Sequence, residues 1–183
     1  MGLRQDRRRI NMGRRLAMKR FKNQLRRNVL ASPGRHQFII VLDHLKPRYN
    51  IGKIFRSADA FGAHEIHLVG IAFFDPAPAM GSFKWVPAKF FDDAHGCISQ
   101  LLERDYHIFL LDPSSGTCLT QAVFPSRSAF VFGHEEYGFS FDPNSYREIT
   151  RLTIPQYGKV QSLNVSVAAS LTMYEYVRQI AVA

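Results

Sequence analysis

The chain is poor in cysteine, and the two it has, Cys97 and Cys118, lack the spacing of a metal site. With no secretion signal beside them they read as ordinary reduced thiols. Long apolar runs are also missing. None reaches 18 residues, which excludes a membrane-spanning helix. His64 and His67 fall in an expected strand at a spacing that puts them on opposite faces, a structural rather than a metal-ligating placement. The glycine segment 133–138 lacks the Gly-Lys-Ser/Thr ending of a P-loop, so a nucleotide-phosphate cradle there has little support. The expectations are therefore no metal, no membrane span and a cytoplasmic location. What is present suffices for one domain, since 183 residues with 46% apolar content can bury a full core.

Acidic residues are nearly absent from the first 36 positions. That segment holds twelve of the 24 Lys and Arg against Asp6 alone, a net of +11. Residues 37–183 hold twelve bases and fourteen acids, a net of −2. This asymmetry divides the chain into a basic N-terminal arm, 1–36, and a roughly neutral domain, 37–183. Ala17, Phe21, Leu25 and Val29 recur every four residues, so part of the arm should be an amphipathic helix with a cationic face. Arg7, Arg8, Arg14, Arg15, Lys19, Arg20 and Arg26 are the candidate contacts to RNA phosphates. A targeting peptide and a solvated, partly disordered tail are the competing readings. Ser32-Pro33-Gly34 marks the boundary.

The domain opens with a continuous apolar run at 38–42, the pattern of a parallel strand covered on both faces. Asn50 is placed to cap a helix that turns Ile54, Phe55, Ala58 and Phe61 inward. Further strands are expected at 65–69, 108–111, 129–132 and 152–154, and a short edge strand at 85–87, where Pro87 is tolerated. Asp92 can cap a helix reaching Arg104, and Asp142-Pro143 a short one. A last helix follows Ser162, with Leu163, Val167, Leu171 and Tyr174 on one stripe. Strand, loop and helix alternate throughout, which argues for an α/β fold with a mainly parallel sheet flanked by helices.

Three loops that follow expected strand ends carry glycine beside polar side chains. The first leads into residues 50–57, the second spans 133–138, and the third spans 155–164. Pro155 cannot donate to a ladder, and Gly158 permits a turn with positive φ. In an open α/β sheet, ligands bind in the crevice at the strands' carboxyl ends. Asn50, and Arg56 about one and two-thirds turns further on, could both reach a phosphate or ribose at the helix mouth. Glu135 reads as a solvated acid or as a partner for a backbone N–H.

In order and interval, these segments resemble the SPOUT superfamily of RNA methyltransferases, in particular its TrmH (SpoU) branch. Asn50-x-Gly52-x-x-x-Arg56-Ser57 looks like that family's first motif. Phe132-Gly133-x-Glu135-x-x-Gly138 looks like the second. Residues 154–168, from Ile154-Pro155 through Gly158 to Ser162-Leu163-Asn164, look like the third. The resemblance covers about residues 37–180. It implies a C-terminal deep trefoil knot (the SPOUT fold) with S-adenosylmethionine held in it, and a homodimer with the active site near the subunit interface. It also implies methyl transfer to a ribose 2′-hydroxyl of tRNA or rRNA. By position it assigns the cofactor to Leu111, Gly133, Ile154, Gly158 and Leu163. The chemistry falls to Arg56, Asn50, Glu135, Ser162 and Asn164. A non-catalytic RNA-binding protein that keeps the same fold is the alternative.

Overall fold

The computed structural model describes residues 2–47 and 49–182, with side chains over 12–47 and 49–181. Seven parallel strands form one sheet. They are β1 (Ile39–Asp43), β2 (Glu65–Val69), β3 (Ala88–Phe91), β4 (His107–Leu111), β5 (Thr117–Cys118), β6 (Ser128–Phe132) and β7 (Ile149–Thr153). The order across the sheet is β3-β2-β1-β6-β4-β7-β5. The helices are α1 (Gly2–Asn28), α2 (Tyr49–Ala60), α3 (Ala94–Glu103) and α4 (Val165–Val182).

The continuous apolar runs become central strands because both faces of the sheet are covered. β1, β2 and β6 are buried along their whole length. Alternate residues serve opposite faces. Ile40, Leu42, Leu68 and Phe130 join the core beneath α2 and α4. Ile39, Val41, Ile108 and Val131 join the core beneath α3, with Ile98 and Leu101. β6 lies between β1 and β4, and β7 lies between β4 and β5. The carboxyl ends of β6, β4 and β7 are therefore neighbours, and the site is built on them.

Several local expectations shift. The edge strand is not 85–87 but Ala88–Phe91, paired with β2. Trp85 and Val86 instead spend their N–H groups on Ser82 in a tight turn, and Pro87 has none to give. The helix expected to be capped by Asn50 begins two residues earlier than such a cap allows, at Tyr49, which puts Asn50 in its first turn. Asp93, not Asp92, caps α3, accepting from the Gly96 N–H at 2.9 Å. The cap by Asp142 holds, with the Asn144 N–H at 3.0 Å.

The C-terminal helix buries a different face from the expected one. Ala169, Met173 and Tyr176 are its buried apolar residues, while Val167, Leu171 and Tyr174 are 47%, 41% and 57% exposed. The helix is apolar around most of its circumference, so periodicity alone cannot choose which side faces the sheet.

The basic helix α1 is docked over its second half. Ala17 and Phe21 are buried, and Phe21 stacks on Phe83 with ring centroids 5.6 Å apart while Phe73 and Phe74 meet it edge-on. The stripe ends before Val29, which lies past the helix and is exposed. Its place is taken by Asn28. The buried Asn28 amide donates to the carbonyls of Phe83 (2.6 Å) and Val86 (2.7 Å) and accepts from the Ala88 N–H (3.1 Å). Arg14, Arg15, Lys19 and Arg26 are exposed, and Arg20, also exposed, reaches back to Asp75 at 4.0 Å. The side chains of Arg7 and Arg8 lie outside the described residues.

Candidate functional site

A cleft of about 610 Å³ opens at the carboxyl ends of β4, β6 and β7 and is closed on one side by the start of α4. Its floor is apolar: Leu111, Phe132, Leu152 and Ile154. Its rim is polar and includes Glu135, Ser162 and Asn164.

The loop after β6 is rigid by construction. His134 and Gly138 exchange two backbone hydrogen bonds, at 2.7 and 3.0 Å, and Gly138 sits at φ 72°, which glycine adopts without strain. A Cβ on Gly133 would fall 2.7 Å from the Gly138 carbonyl, so the cleft wall there must be bare backbone. His134 Nδ1 accepts from the N–H groups of Glu136 (3.0 Å) and Tyr137 (3.3 Å), which places the proton of the neutral ring on Nε2. Ser140 anchors the loop's far end. Its N–H and hydroxyl donate to the buried Asp43 carboxylate, at 2.7 and 2.8 Å, at the end of β1.

One polar chain ties the three loops together. The Asn164 amide donates to Asn50 Oδ1 at 3.2 Å, and the Asn50 amide donates to Glu135 Oε1 at 3.0 Å. Glu135 Oε2 also accepts from the Lys46 N–H at 3.2 Å. Asn164 meanwhile closes the first turn of α4, accepting from the Ser166 N–H and hydroxyl. Partial burial opposes ionisation of Glu135, but the hydrogen bonds from Asn50 and Lys46 outweigh it and hold its pKa below the usual carboxylate range. At neutral pH it is an ionised acceptor that fixes loops, not an acid poised to exchange protons. Lys46 adds an ion pair to Glu136 at 2.8 Å.

Of the residues singled out in the sequence, Leu111, Gly133, Ile154, Leu163, Glu135, Ser162 and Asn164 line the cleft. Asn50 is bound to two of them. Gly158 is not brought in. It lies in the exposed part of its loop, away from the lining and without positive φ. Arg56 also lies outside the lining, exposed on α2. The neighbouring Ser57 hydroxyl meets that of Ser170 on α4 at 2.8 Å.

Sequence reasoning misses Asp43, Lys46, His134 and Ser140. Only Asp43 leaves a trace, a charged residue closing an otherwise apolar strand. Of the two histidines expected in a strand, only His67 lies in β2, and His64 immediately precedes it. His67 is buried and bonded to Glu65 (3.0 Å) and Cys97 (3.3 Å). No group of three or more His, Cys, Asp or Glu able to hold a metal ion occurs among the described residues. No helix among them is long and apolar enough to cross a membrane.

The model of the SpoU rRNA methylase family matches residues 37–174. The chain belongs to that family. The family match begins just before β1 and leaves α1 outside it. Two relatives carry its character at moderate identity. One is the tRNA (guanosine(18)-2′-O)-methyltransferase of Thermus thermophilus, 30% identical over 76% of this chain and 74% of that protein. The other is the 23S rRNA (guanosine-2′-O-)-methyltransferase RlmB of Bordetella pertussis, 32% identical over 77% of this chain. The aligned region makes up 59% of RlmB.

Solved SpoU structures agree. The TrmH/SpoU tRNA-modifying enzyme of A. aeolicus superimposes with a TM-score of 0.73 at 26% identity, covering 91% of this chain and 85% of that one. The SpoU methyltransferase AviRb from Streptomyces viridochromogenes, solved in complex with AdoMet, gives 0.70 at 26% identity. That match covers 82% of this chain and 64% of AviRb.

Proposed function

We propose that this protein transfers a methyl group from S-adenosylmethionine to a ribose 2′-hydroxyl of tRNA or rRNA. Family membership and the activities named for the relatives support the reaction. The observation that carries it is the Glu135–Asn50–Asn164 chain, which holds three loops around one cleft at the strands' carboxyl ends.

The cleft suits the cofactor. A cavity of this size is in the range that encloses a small organic ligand. The apolar floor offers a surface for a flat base, and the side-chain-free wall at Gly133 leaves backbone groups open to polar atoms. Leu111, Gly133, Ile154 and Leu163 are the residues that would hold it. Bound there, S-adenosylmethionine would supply an electrophilic sulfonium methyl group.

The chain's own residues must then prepare the acceptor. A 2′-hydroxyl is a poor nucleophile, so its proton must be accepted or its developing negative charge stabilised. Ser162 and Asn164 on the rim, with Asn50 behind them, orient the ribose for in-line approach. The guanidinium of Arg56 offers only hydrogen-bond donors, so its role is to stabilise charge and to position a phosphate. Glu135 keeps the loops in register.

The remaining assignments are read in the same way. Insertion of β6 and β7 into the interior of the sheet supports threading of the C-terminal segment into a trefoil knot. The exposed apolar stripe on α4 supports a homodimer, with Val167, Leu171 and Tyr174 at the interface. The outward cationic face of α1 supports recruitment of RNA, as expected for a basic arm on a neutral domain. Exposed Tyr137 and Tyr157, on two of the site loops, suit unstacked bases beside the target ribose. An RNA substrate is compatible with the cytoplasmic location expected from the sequence.

The test is methyl transfer from labelled S-adenosylmethionine to total tRNA and, separately, to ribosomal RNA. Label should enter one pool as an alkali-resistant 2′-O-methyl nucleotide. Arg56→Ala should lose transfer by at least about a hundredfold, as removal of an oxyanion stabiliser does, with cofactor binding unchanged. Wild-type turnover in that variant would refute the role given to Arg56.

A further inference from the structure

Gln156 carries a side-chain carbonyl oxygen, Oε1, that is buried without a hydrogen-bond partner, and the residue lines the cleft. An acceptor taken out of water and left unpaired gains nothing in exchange, so folded proteins keep few of them. One that faces a binding cleft is satisfied when a ligand brings the donor. The other orphan amide oxygens among the described residues belong to Gln24 on α1 and Gln100 on α3, and neither residue lines the cleft.

The surroundings narrow the donor. Leu152, Ile154 and Gln156 all line the cleft at intervals of two residues, the spacing that places side chains on one side of an extended chain. They make a strip of two branched aliphatics ending in an amide. A flat heteroaromatic ring lying on the aliphatics presents its polar edge to that amide. A ligand's ammonium group would be drawn elsewhere, to the carboxylates of Asp112, Glu135 and Glu136 on the lining. A primary amide matches adenine in particular. The exocyclic amine donates and an adjacent ring nitrogen accepts, so both amide atoms pair in one plane. Pairing of both atoms also makes the match independent of which way the amide is turned beforehand.

We infer that Gln156 reads the adenine edge of the cofactor, with Oε1 accepting from the exocyclic amine. The inference rests on the cofactor assignment above and adds the residue that selects the base. Calorimetric titration tests it without RNA or turnover. The probes are S-adenosylhomocysteine and its analogue whose purine lacks the 6-amino group. A flip of the amide cannot rescue the analogue, because the donor is simply missing.

Wild type should bind the analogue about tenfold more weakly, the loss of about one hydrogen bond. Gln156→Met, unbranched and close in size, should bind both ligands within about twofold of each other. Gln156→Glu keeps an acceptor and should keep the discrimination, which guards against reading a damaged cleft as a lost contact. If Gln156→Met discriminates as wild type does, another group reads the amine and the inference is overturned. Absence of discrimination in wild type overturns it equally. Failure of wild type to bind S-adenosylhomocysteine at all would overturn the cofactor assignment, and this inference with it.

Discussion

Asn28 offers the most direct test of how the basic helix is joined to the domain. Its amide serves three backbone groups within residues 83–88, the segment that leads into the edge strand β3. Asn28→Ala leaves two carbonyls and one N–H without their partner. Each such group costs about 1–3 kcal/mol when it stays buried, and water entering the vacated space recovers part of that. A loss of about 2–4 kcal/mol is the working figure, a large share of the 5–15 kcal/mol typical of a domain. Asn28→Asp should be worse at neutral pH. It replaces the donor with an anionic oxygen facing the Phe83 and Val86 carbonyls. Acid should narrow the gap, because a protonated carboxyl regains one donor. Urea unfolding with an unchanged m-value reads the energies, and amide exchange at Ala88 reads the local defect. A cost under about 0.5 kcal/mol for Asn28→Ala would refute the reasoning, since surface substitutions fall in that range. So would an Asp variant at pH 7 as stable as wild type.

Three further outcomes are expected. Reversing Arg14, Arg15 and Lys19 to Glu, which spares the docked residues Phe21 and Asn28, should weaken RNA binding and lower the slope of log K against log salt by about 2 to 3. An unchanged slope would remove α1 from the RNA interface. Leu171→Asp should convert a dimer to a monomer in light scattering, and a wild type that is already monomeric would refute the assigned interface. Stability should fall as pH drops below about 6.5 and again through the carboxylate range. His67 has its pKa lowered chiefly by burial, partly offset by Glu65, so the unfolded chain takes up its proton first as pH falls. Burial opposes ionisation of Glu65, but hydrogen bonds from His67, Arg104 and Lys89 outweigh it and hold it well below the usual range. Its contribution is therefore complete above that range and is lost in acid. Glu65→Gln should flatten the lower part of the profile, and an unaltered acid transition would exclude Glu65 as its source.

How much of this was legible in the sequence depends on how local each signal is. The central strands are legible because an uninterrupted apolar run has few other uses, as in β1. The cleft residues Gly133, Glu135, Ser162 and Asn164 are legible because each lies in a loop with its own strand-end signature. The packed face of α4 is not, since the choice between Met173 and Leu171 is made by the sheet and by α2. Nor is the Glu65 cluster, whose partners come from β2, β3 and the end of α3. Asn28 reads as an ordinary polar residue at a helix end. Only the 83–88 backbone, far along the chain, makes it a pin.

The strand order also sets a timetable. β1, β2 and β3 are consecutive and adjacent, so three of the seven strands can pair as soon as residue 91 has been made. β4 has no such luck: both of its neighbours, β6 and β7, come later in the chain. During synthesis an apolar strand, Ile108 to Leu111, therefore waits unpartnered until residues 128–132 arrive. The gap between β4 and β5 is filled only by residues 149–153. Pairing over such separations is slow and exposes aggregation-prone surface meanwhile. The cleft, built on β4, β6 and β7, is then the last part of the molecule to exist. A nascent chain can own three paired strands and the whole basic helix well before it has anywhere to put a cofactor.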